Sequence, residues 1–324
     1  MADGPAIKYM VRVHHAGYTY QELRRICTAS DSLGYYGATL YDLMNAPALE
    51  CWATLSALSA ETHRIRLMPL VLAVLYRSPG LLAKMAATLD VISGGRMELG
   101  IGAGGDGRDH RAYGLAFPET PRRVEMLEEA VMAIKGLWTA PELSYNGTYY
   151  QFDNAICEPR PLQAPRPPVL IGGHGQTHIL RAVARHADVC NMGFEMGPDE
   201  HKAMLGVLEE HCRQAGRDMR EIEVSHNTRV KIAANEDGVR SMLEEGARAA
   251  GMPVERYRQS LQNAIVGTPE QCASRIRTYV DAGVTRFFLI FPDPIPTESL
   301  ELFASTVMNR ESQGGQFDNA GAYG

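Results

Sequence analysis

At 324 residues the chain is long enough for two average domains, although α/β barrels use about 250 residues or more as a single domain. Its 45% hydrophobic and 22% charged residues are those of an ordinary globular protein, and a net charge of −6 argues against a nucleic-acid partner, because nucleic acids bind basic surfaces. The six cysteines are scattered without metal-ligand spacing, so we expect free thiols in a reducing compartment and no metal site.

Predicted strands and helices alternate along the chain, which is typical of a parallel sheet with helices outside it. The strands predicted from apolar patterns are 7–14, 37–41, 65–71, 96–101, 169–172, 187–191, 222–230 and 286–291. The helices predicted from periodicity and boundary residues are 20–33, 47–62, 79–92, 122–138, 176–186, 201–215, 238–250, 269–282 and 300–308. Eight strands with their helices predict a closed (β/α)8 barrel, or TIM barrel, whose site lies at the carboxyl ends of the strands.

We expect a single domain over residues 1–308 and a disordered tail over 309–324. An insertion at about 144–167 follows the fourth strand. Within it, LSYNGTYY predicts a hairpin with a turn at Asn146 and Gly147, and EPRPLQAPRPP predicts an extended segment. The N-terminal MADGPAIKYM lacks the parts of a signal peptide, and the longest apolar run is too short to span a bilayer. A cytoplasmic protein without a membrane partner is therefore expected.

Two glycine-rich stretches that follow predicted strands indicate a ligand site. In residues 102–107 four glycines directly follow a strand, and the next helix is predicted only at about residue 121. In residues 172–177 three glycines precede a predicted helix start. Glycines let the main chain approach a flat or charged ligand closely, and N–H groups at a helix start bind anions. Plain turns are the alternative, and the spacing is not that of the dinucleotide-binding fingerprint.

Several motifs in this order resemble the luciferase-like flavin and coenzyme F420-dependent oxidoreductases: LLAKMAATLDVISGGRMELGIGAG, then HRAYG, then PPVLIGG. The run ECWATLSALSAETHRIRL is most similar to the actinobacterial-type F420-dependent branch. The resemblance implies a homodimeric enzyme that transfers hydride between F420 and a small organic substrate. An FMN monooxygenase of the same fold, which takes reduced FMN from a separate reductase and uses O₂, is the alternative. A non-catalytic flavin-binding subunit and a barrel isomerase or lyase for a phosphorylated metabolite also stay open.

The resemblance further implies which residues bind the cofactor. It implies a cis peptide bond at Leu70–Val71, where a bulge supports the ring, and a phosphate site in the second glycine stretch. For Asp42, capping of the next helix or pairing with an arginine is an equal alternative. The complete set is Asp42, Leu70, Val71, Ala73, Gly102, Ala103, Gly104, His110, Tyr113, Gly172, Gly173, His174, Gly175, Gln176 and Thr177.

The proton donor of F420 relatives does not carry over, because the histidine that follows their aspartate is Leu43 here. His14 and His15 end the first predicted strand, and either is a candidate acid or base, although alternation turns at most one of them inward. A rim histidine bonded to the main chain is the alternative. Substrate contacts are predicted for strand-end residues, namely Leu43, Asn227, Arg229 and Phe291.

Overall fold

The computed structural model describes residues 6–173 and 175–309, in which helices surround a parallel sheet. The strands are β1 (Lys8–Val13), β2 (Gly37–Leu40), β3 (Arg66–Pro69), β4 (Leu72–Ala73), β5 (Leu99–Gly102), β6 (Leu143–Asn146), β7 (Gln151–Ala155), β8 (Val169–Gly172), β9 (Val189–Phe194), β10 (Glu223–Ile232), β11 (Ile265–Gly267) and β12 (Arg286–Ile290). The α-helices are α1 (Tyr20–Leu33), α2 (Cys51–Glu61), α3 (Pro79–Ser93), α4 (Gly107–Ala112), α5 (Thr120–Thr139), α6 (Ile179–His186), α7 (Pro198–Ala215), α8 (Glu236–Ala249), α9 (Val254–Ser260), α10 (Pro269–Val280) and α11 (Thr297–Phe303). The predicted tail lies outside the described residues from position 310 onward.

The parallel sheet closes into a barrel of eight strands. Its order is β3–β2–β1–β12–β10–β9–β8–β5–β4, and β3 and β4 are two parts of one strand that is interrupted at residues 70–71. The two ends meet where the N–H of Glu98 donates to the carbonyl of Leu67 at 3.1 Å. The predicted (β/α)8 barrel is confirmed, and the carboxyl ends of its strands share one rim.

Alternation along the strands separates two apolar layers. Side chains of one parity fill the barrel interior: Met10, Met68, Leu70, Leu170, Val189 and Phe288. Side chains of the other parity, such as Phe287, pack outward in the larger core beneath the helices. Phe291 has this outward parity, and its ring lies 5.9 Å from that of Phe303 and 6.4 Å from that of Tyr35. The predicted substrate contact of Phe291 is therefore wrong, because a one-residue shift turns a side chain to the opposite face.

Most helix starts follow the local signals. α3 begins with Pro79 at its first position, and the Ser78 hydroxyl accepts the N–H of Leu81 at 3.3 Å. The prediction that Pro47 begins the next helix is wrong, since α2 begins at Cys51. The Pro47 carbonyl instead accepts the N–H of Gly17 at 2.8 Å, which ties this loop to the loop after β1.

Charged side chains form a layer inside the barrel at the amino-terminal end of the strands. Glu98 is 1% exposed and lies between Arg286, with which it forms a salt bridge, and Arg66, whose Nε is 2.6 Å away. The Tyr36 hydroxyl donates to Glu98 at 2.7 Å, and Arg286 also contacts Glu223 at 2.7 Å. This ionic layer lies at the opposite end of the barrel from the carboxyl rim.

The segment between α5 and β8 contains the predicted hairpin, formed by β6 and β7. Its loop is residues 147–150 rather than a two-residue Asn-Gly turn, so the predicted turn is wrong. The cause is Glu129 on α5, whose carboxylate accepts the N–H groups of Thr148 at 2.9 Å and Tyr149 at 2.8 Å. Among the described residues no helix is both long enough and apolar enough to cross a bilayer.

Candidate functional site

A cavity of about 590 Å³ opens at the carboxyl rim of the barrel. It brings together the ends of β1, β3, β4, β5, β8 and β9 with the loops that follow β2 and β5. The predicted residues that line it are Asp42, Leu70, Val71, Ala73, Gly102, Ala103, Gly104, Gly172, Gly173 and Gly175. The lining residues that the sequence did not single out include Arg12, Arg123 and Asn191.

The Val71 side chain forms a ledge in this cavity. The Leu70–Val71 peptide bond is cis, as the resemblance implies, and it separates β3 from β4. A Cβ atom added to Gly102 or to Gly172 would lie 3.0 Å from a methyl group of Val71. These two glycines therefore leave the space that the Val71 side chain occupies.

Asp42 is held by an arginine, which is one of the two alternatives considered for it. Arg77 donates from both terminal nitrogens to the two Asp42 oxygens at 2.9 Å, and the Asp42 side chain is 4% exposed. The same carboxylate accepts the N–H of Ala73 at 3.1 Å. Arg77 also contacts Glu50 at 2.6 Å. Asp42 thus fixes the chain directly after the Val71 ledge.

The first glycine stretch leaves main chain exposed beside the ledge and enters a helix earlier than predicted. α4 begins at Gly107, because the Asp106 carboxylate accepts the N–H of Arg108 at 2.8 Å and caps the helix. Gly104 has φ +85°, and nothing lies within 4 Å of a Cβ added to Gly105. Both glycines line the cavity, so their main chain is open to a ligand there, while His110 fills the space on the Cβ side of Gly104.

The two predicted residues of the HRAYG motif lie behind or above this main chain. His110 is fully buried between the rings of Tyr76 and Phe117, each 4.6 Å away, and Cε1 of His110 would be 3.4 Å from a Cβ on Gly104. Its Nδ1 lies 3.0 Å from the Asp106 carbonyl, and its buried Nε2 has no partner among the described residues. The Tyr113 side chain is 53% exposed, and its hydroxyl donates to the carbonyl of Met44 rather than into the cavity.

The second glycine stretch is a turn that precedes its helix. α6 begins at Ile179, so the predicted start at Gln176 is wrong. Gly173 has φ +149°, and its N–H donates to the carbonyl of Asn191 at 3.0 Å, so that this donor is already used. Gln176 and Thr177 are exposed, and the Gln176 amide contacts the sulfur of Met204 at 3.4 Å. His174 lies outside the described residues.

Two arginines contribute positive charge to the cavity wall. Arg123 on α5 donates from Nε to the Ala103 carbonyl at 3.1 Å, and its guanidinium lies 4.0 Å from the centre of the Phe117 ring. Arg12 on β1 donates from Nη1 to the side-chain oxygen of Asn227 at 2.9 Å. Within residues 6–173 and 175–309 neither arginine pairs with a carboxylate. An arginine inside the apolar strand YMVRV was the available signal for Arg12.

The two candidate histidines have different surroundings. His14 has the same parity as Arg12, is exposed, and contacts the ring of Tyr41 edge-on with centroids 5.0 Å apart. His15 is fully buried, and its Nε2 lies 2.9 Å from the carbonyl of Leu49. Burial lowers the pKa of His15. The prediction of His15 as an acid or base is corrected, because it faces the main chain of a neighbouring loop and not the cavity.

The remaining predicted substrate residues surround the rim without forming one cluster. Asn227 is buried and, besides accepting from Arg12, donates to the carbonyl of Met192 at 3.1 Å. Arg229 contacts Glu195 through two nitrogens at 2.6 and 2.5 Å and donates to the carbonyl of Ser260 at 2.7 Å. Leu43 is half-buried in the loop after β2.

The structure fits a planar cofactor with an anionic tail. An apolar ledge at Val71 lies beside open main chain at Gly104 and Gly105, and His110 has a buried nitrogen without a partner behind that main chain. Arg123 adds a cation that no described carboxylate neutralises. Apolar support for a ring, exposed main chain and an unpaired cation are the features that such a cofactor requires.

The fold and the cavity define a (β/α)8-barrel enzyme with its site at the carboxyl rim. The chain matches the family model described as luciferase-like monooxygenase over residues 7–286. The chain belongs to this family and is an oxidoreductase.

Two curated relatives and one solved structure illustrate the family. The F420-dependent glucose-6-phosphate dehydrogenase of Microbacterium testaceum is 31% identical over 278 residues, which cover 79% of this chain and 80% of the relative. The FMNH₂-dependent dimethylsulfone monooxygenase of Pseudomonas putida is 27% identical over 215 residues, covering 66% and 58%. The coenzyme F420 dependent tetrahydromethanopterin reductase from Methanopyrus kandleri has a TM-score of 0.78 and 19% identity, covering 94% of this chain and 99% of that chain.

Proposed function

We propose that the protein is an F420-dependent oxidoreductase that transfers hydride between the cofactor and a small organic substrate. The observation that carries this proposal is the Val71 ledge at the rim. The ledge fits there because Gly102 and Gly172 have no side chains that would collide with Val71. The preference for F420 over FMN is supported by the relative that is 31% identical over 79% of the chain.

When bound, the deazaflavin supplies a carbon centre that exchanges a hydride with the substrate. The apolar Val71 side chain supports one face of the ring, and the Asp42–Arg77 pair holds the ledge in place. The exposed main chain of Gly104 and Gly105, together with the Arg123 guanidinium, binds the anionic tail. Arg12 and Asn227 form the part of the wall left for the substrate.

The substrate proton needs a group other than residue 43, because the leucine side chain has no titratable atom. His14 is our candidate, since it has the parity of Arg12 and its ring is exposed beside Tyr41. The imidazole takes up or releases a proton at the substrate oxygen as the hydride moves. This role is tested by replacing His14 with Gln and measuring kcat against pH.

A second candidate function is an FMN-dependent monooxygenase of the same family. It is supported by the similarity to the FMNH₂-dependent enzyme of Pseudomonas putida. In that case a separate reductase supplies the reduced cofactor, and the same ledge and wall exclude water from the reacting face. A homodimer is proposed for both candidates.

The deciding experiment is a fluorescence titration of the purified protein with F420 and, separately, with FMN. We expect F420 to bind in the micromolar range and FMN at least about 10-fold more weakly, a difference of about 1.4 kcal/mol. Tighter binding of FMN would replace the first candidate by the second. If neither cofactor binds, the proposed function is wrong.

A further inference from the structure

Arg12 has no role in holding the cofactor as described above, and it faces the cavity from the substrate side. We propose that Arg12 is a specificity-determining residue that binds an oxyanion, a carboxylate or a phosphate, carried by the substrate. The identification of this anion as the substrate rests on the proposed function. Binding of an anion by Arg12 does not require the cofactor to be present.

The position of Arg12 on β1 directs it into the cavity. Met10, two residues earlier, packs in the barrel interior, and strand alternation gives Arg12 the same direction one layer nearer the rim. In the sheet order β1 lies four strands from β8, where Gly172 backs the Val71 ledge. In a barrel of eight strands β8 is the wall opposite β1, whereas Val71 itself lies at the end of β3, two strands from β1. Arg12 therefore faces Gly172 across the cavity, with the ledge to one side.

The hydrogen bonds of Arg12 leave part of its guanidinium without a protein partner. Nη1 donates to Asn227 at 2.9 Å, and the guanidinium carbon lies 4.6 Å from the centre of the Tyr41 ring. Nε is buried and has no partner in the described part of the chain. Asn227 on β10 and Tyr41 directly after β2 hold the guanidinium by hydrogen bonds, and Nε is the donor that stays without a partner.

The charge of Arg12 is not neutralised by the carboxylates that line the cavity. Asp42 is bound by Arg77, and Asp106 is bound by Arg108. Asp109 belongs to α4 after β5, three barrel strands away from β1. A guanidinium withdrawn from water without a counter-ion costs free energy, and an anion that enters the cavity offsets that cost.

The chemistry of the side chain favours an oxyanion over a neutral hydroxyl group. A guanidinium offers planar, paired donors that match a carboxylate or a phosphate, and hydrogen bonds between charged groups are roughly twice as strong as neutral ones. The neutral Tyr41 side chain contacts the cation with its ring and accepts a hydrogen bond from it, so it does not neutralise the charge. A neutral substrate would leave the charge of Arg12 without a counter-ion.

The test compares anionic probes with neutral counterparts in calorimetric titrations. The probes are inorganic phosphate and glucose 6-phosphate against glucose, and benzoate against benzamide; the two pairs separate a phosphate from a carboxylate preference. The variants are Arg12→Gln and Arg12→Lys, with Arg213→Gln, an exposed arginine paired with Glu210 on α7, as the matched control. Arg123→Gln is titrated in parallel, because it reports anions that occupy the other cation. Thermal unfolding of each variant identifies any loss of fold.

We expect at least one anionic probe to bind the wild type while its neutral counterpart does not. Arg12→Gln should weaken that binding by about 10- to 100-fold, as expected for hydrogen bonds to a charged group, and Arg12→Lys should weaken it less. The control should bind like the wild type. An unchanged affinity in a folded Arg12→Gln protein, or an affinity lost only in Arg123→Gln, overturns the proposal.

Cofactor titrations of the same variants separate this inference from the proposed function. F420 and FMN should bind Arg12→Gln within about threefold of the wild type, a difference below 1 kcal/mol. Loss of cofactor affinity without loss of anion affinity would assign Arg12 to the cofactor and overturn the inference. If no cofactor binds the wild type but anion binding still depends on Arg12, the proposed function fails and the oxyanion site stands.

Discussion

Arg77 binds both carboxylate oxygens of Asp42 at 2.9 Å, and through Asp42 it holds a strand to which neither residue belongs. The Asp42 oxygen that receives Arg77 Nη1 also accepts the N–H of Ala73 in β4, two residues after the cis bond. The pair therefore connects the loop after β2 to the Val71 ledge. The Asp42 side chain in this pair is 4% exposed.

Replacing Asp42 with Ala is expected to destabilise the protein and to loosen the ledge together. The loss of one partner of a buried ion pair costs about 3–5 kcal/mol, and Glu50, which still contacts Arg77, should keep the cost at the lower end. Urea unfolding measures the stability, and a fluorescence titration measures the cofactor affinity. Glu158→Gln, in an exposed pair with Arg160, is the control. Full cofactor affinity in a destabilised Asp42→Ala protein would show that the ledge does not depend on this pair.

Replacing Gly172 with Ala is expected to lower cofactor affinity by about 10-fold, or about 1.4 kcal/mol. The new methyl group would lie 3.0 Å from Val71 Cγ1 and would displace the ledge. The double variant Gly172→Ala/Val71→Ala removes the clash and should recover part of the affinity. Gly206→Ala in α7 is the control, because nothing lies within 4 Å of the added atom and the stability should rise by up to about 1 kcal/mol. Equal affinities of the single variant and the wild type would contradict the role of the ledge.

A buried histidine pair is expected to make the protein less stable in mild acid. His201 Nε2 lies 2.9 Å from His226 Nδ1, both side chains are fully buried, and the Tyr279 ring stacks on His226 with centroids 4.0 Å apart. Burial lowers the pKa of His201 to about 4 and that of His226 to about 2. Between pH 6.5 and about 4 the unfolded chain binds protons at these positions that the folded chain does not bind. Stability therefore falls as the pH decreases, by about 1.4 kcal/mol per pH unit for each histidine.

The variant His226→Phe tests this dependence, because it keeps the ring stacked on Tyr279 and removes one titrating group. Denaturant unfolding at pH 6.5 and pH 5 should show a loss of stability that is about 2 kcal/mol smaller in the variant than in the wild type. His63→Gln, at an exposed position, should leave the difference between the two pH values unchanged. The same loss in wild type and in His226→Phe would rule out the pair as its source.

Glu98→Gln is expected to destabilise the barrel without affecting the cavity. The amide keeps the shape of the side chain but removes the charge between Arg66 and Arg286, at a cost of about 3 kcal/mol. Because this ionic layer lies at the amino-terminal end of the strands, cofactor affinity should stay within about twofold, or below 0.5 kcal/mol. A fall in affinity parallel to the fall in stability would mean that the two ends of the barrel are coupled.

The sequence was sufficient for features that depend on local patterns. Apolar patterns predicted the eight strands, and the helix predicted over residues 79–92 matches α3 to within one residue. The family resemblance, together with the rule that barrel sites lie at the carboxyl ends of strands, then indicated half of the residues that line the cavity. The cis bond at Leu70–Val71 came from the family resemblance, because no local pattern predicts such a bond.

Features that depend on partners distant in the chain were decided only by the tertiary structure. Arg77 holds Asp42 across 35 residues, and Arg12 meets Asn227 across 215 residues. A sequence pattern does not predict which charged side chain will find a partner. It also does not predict that Nε of Arg12 stays without one.

The direction of side chains at the strand ends is the clearest example of a feature that the sequence leaves open and the tertiary structure decides. The sequence placed His14, His15 and Phe291 at strand ends, but a shift of one residue moves a side chain from the cavity to the helix layer. That direction is fixed by the register with neighbouring strands, which aligns Met10 with Phe288 and Val11 with Leu289. The sequence by itself determined the barrel and the end that carries the site. The tertiary structure decided which side chains face the cavity, because the packing of strands that are far apart in the chain fixes their direction.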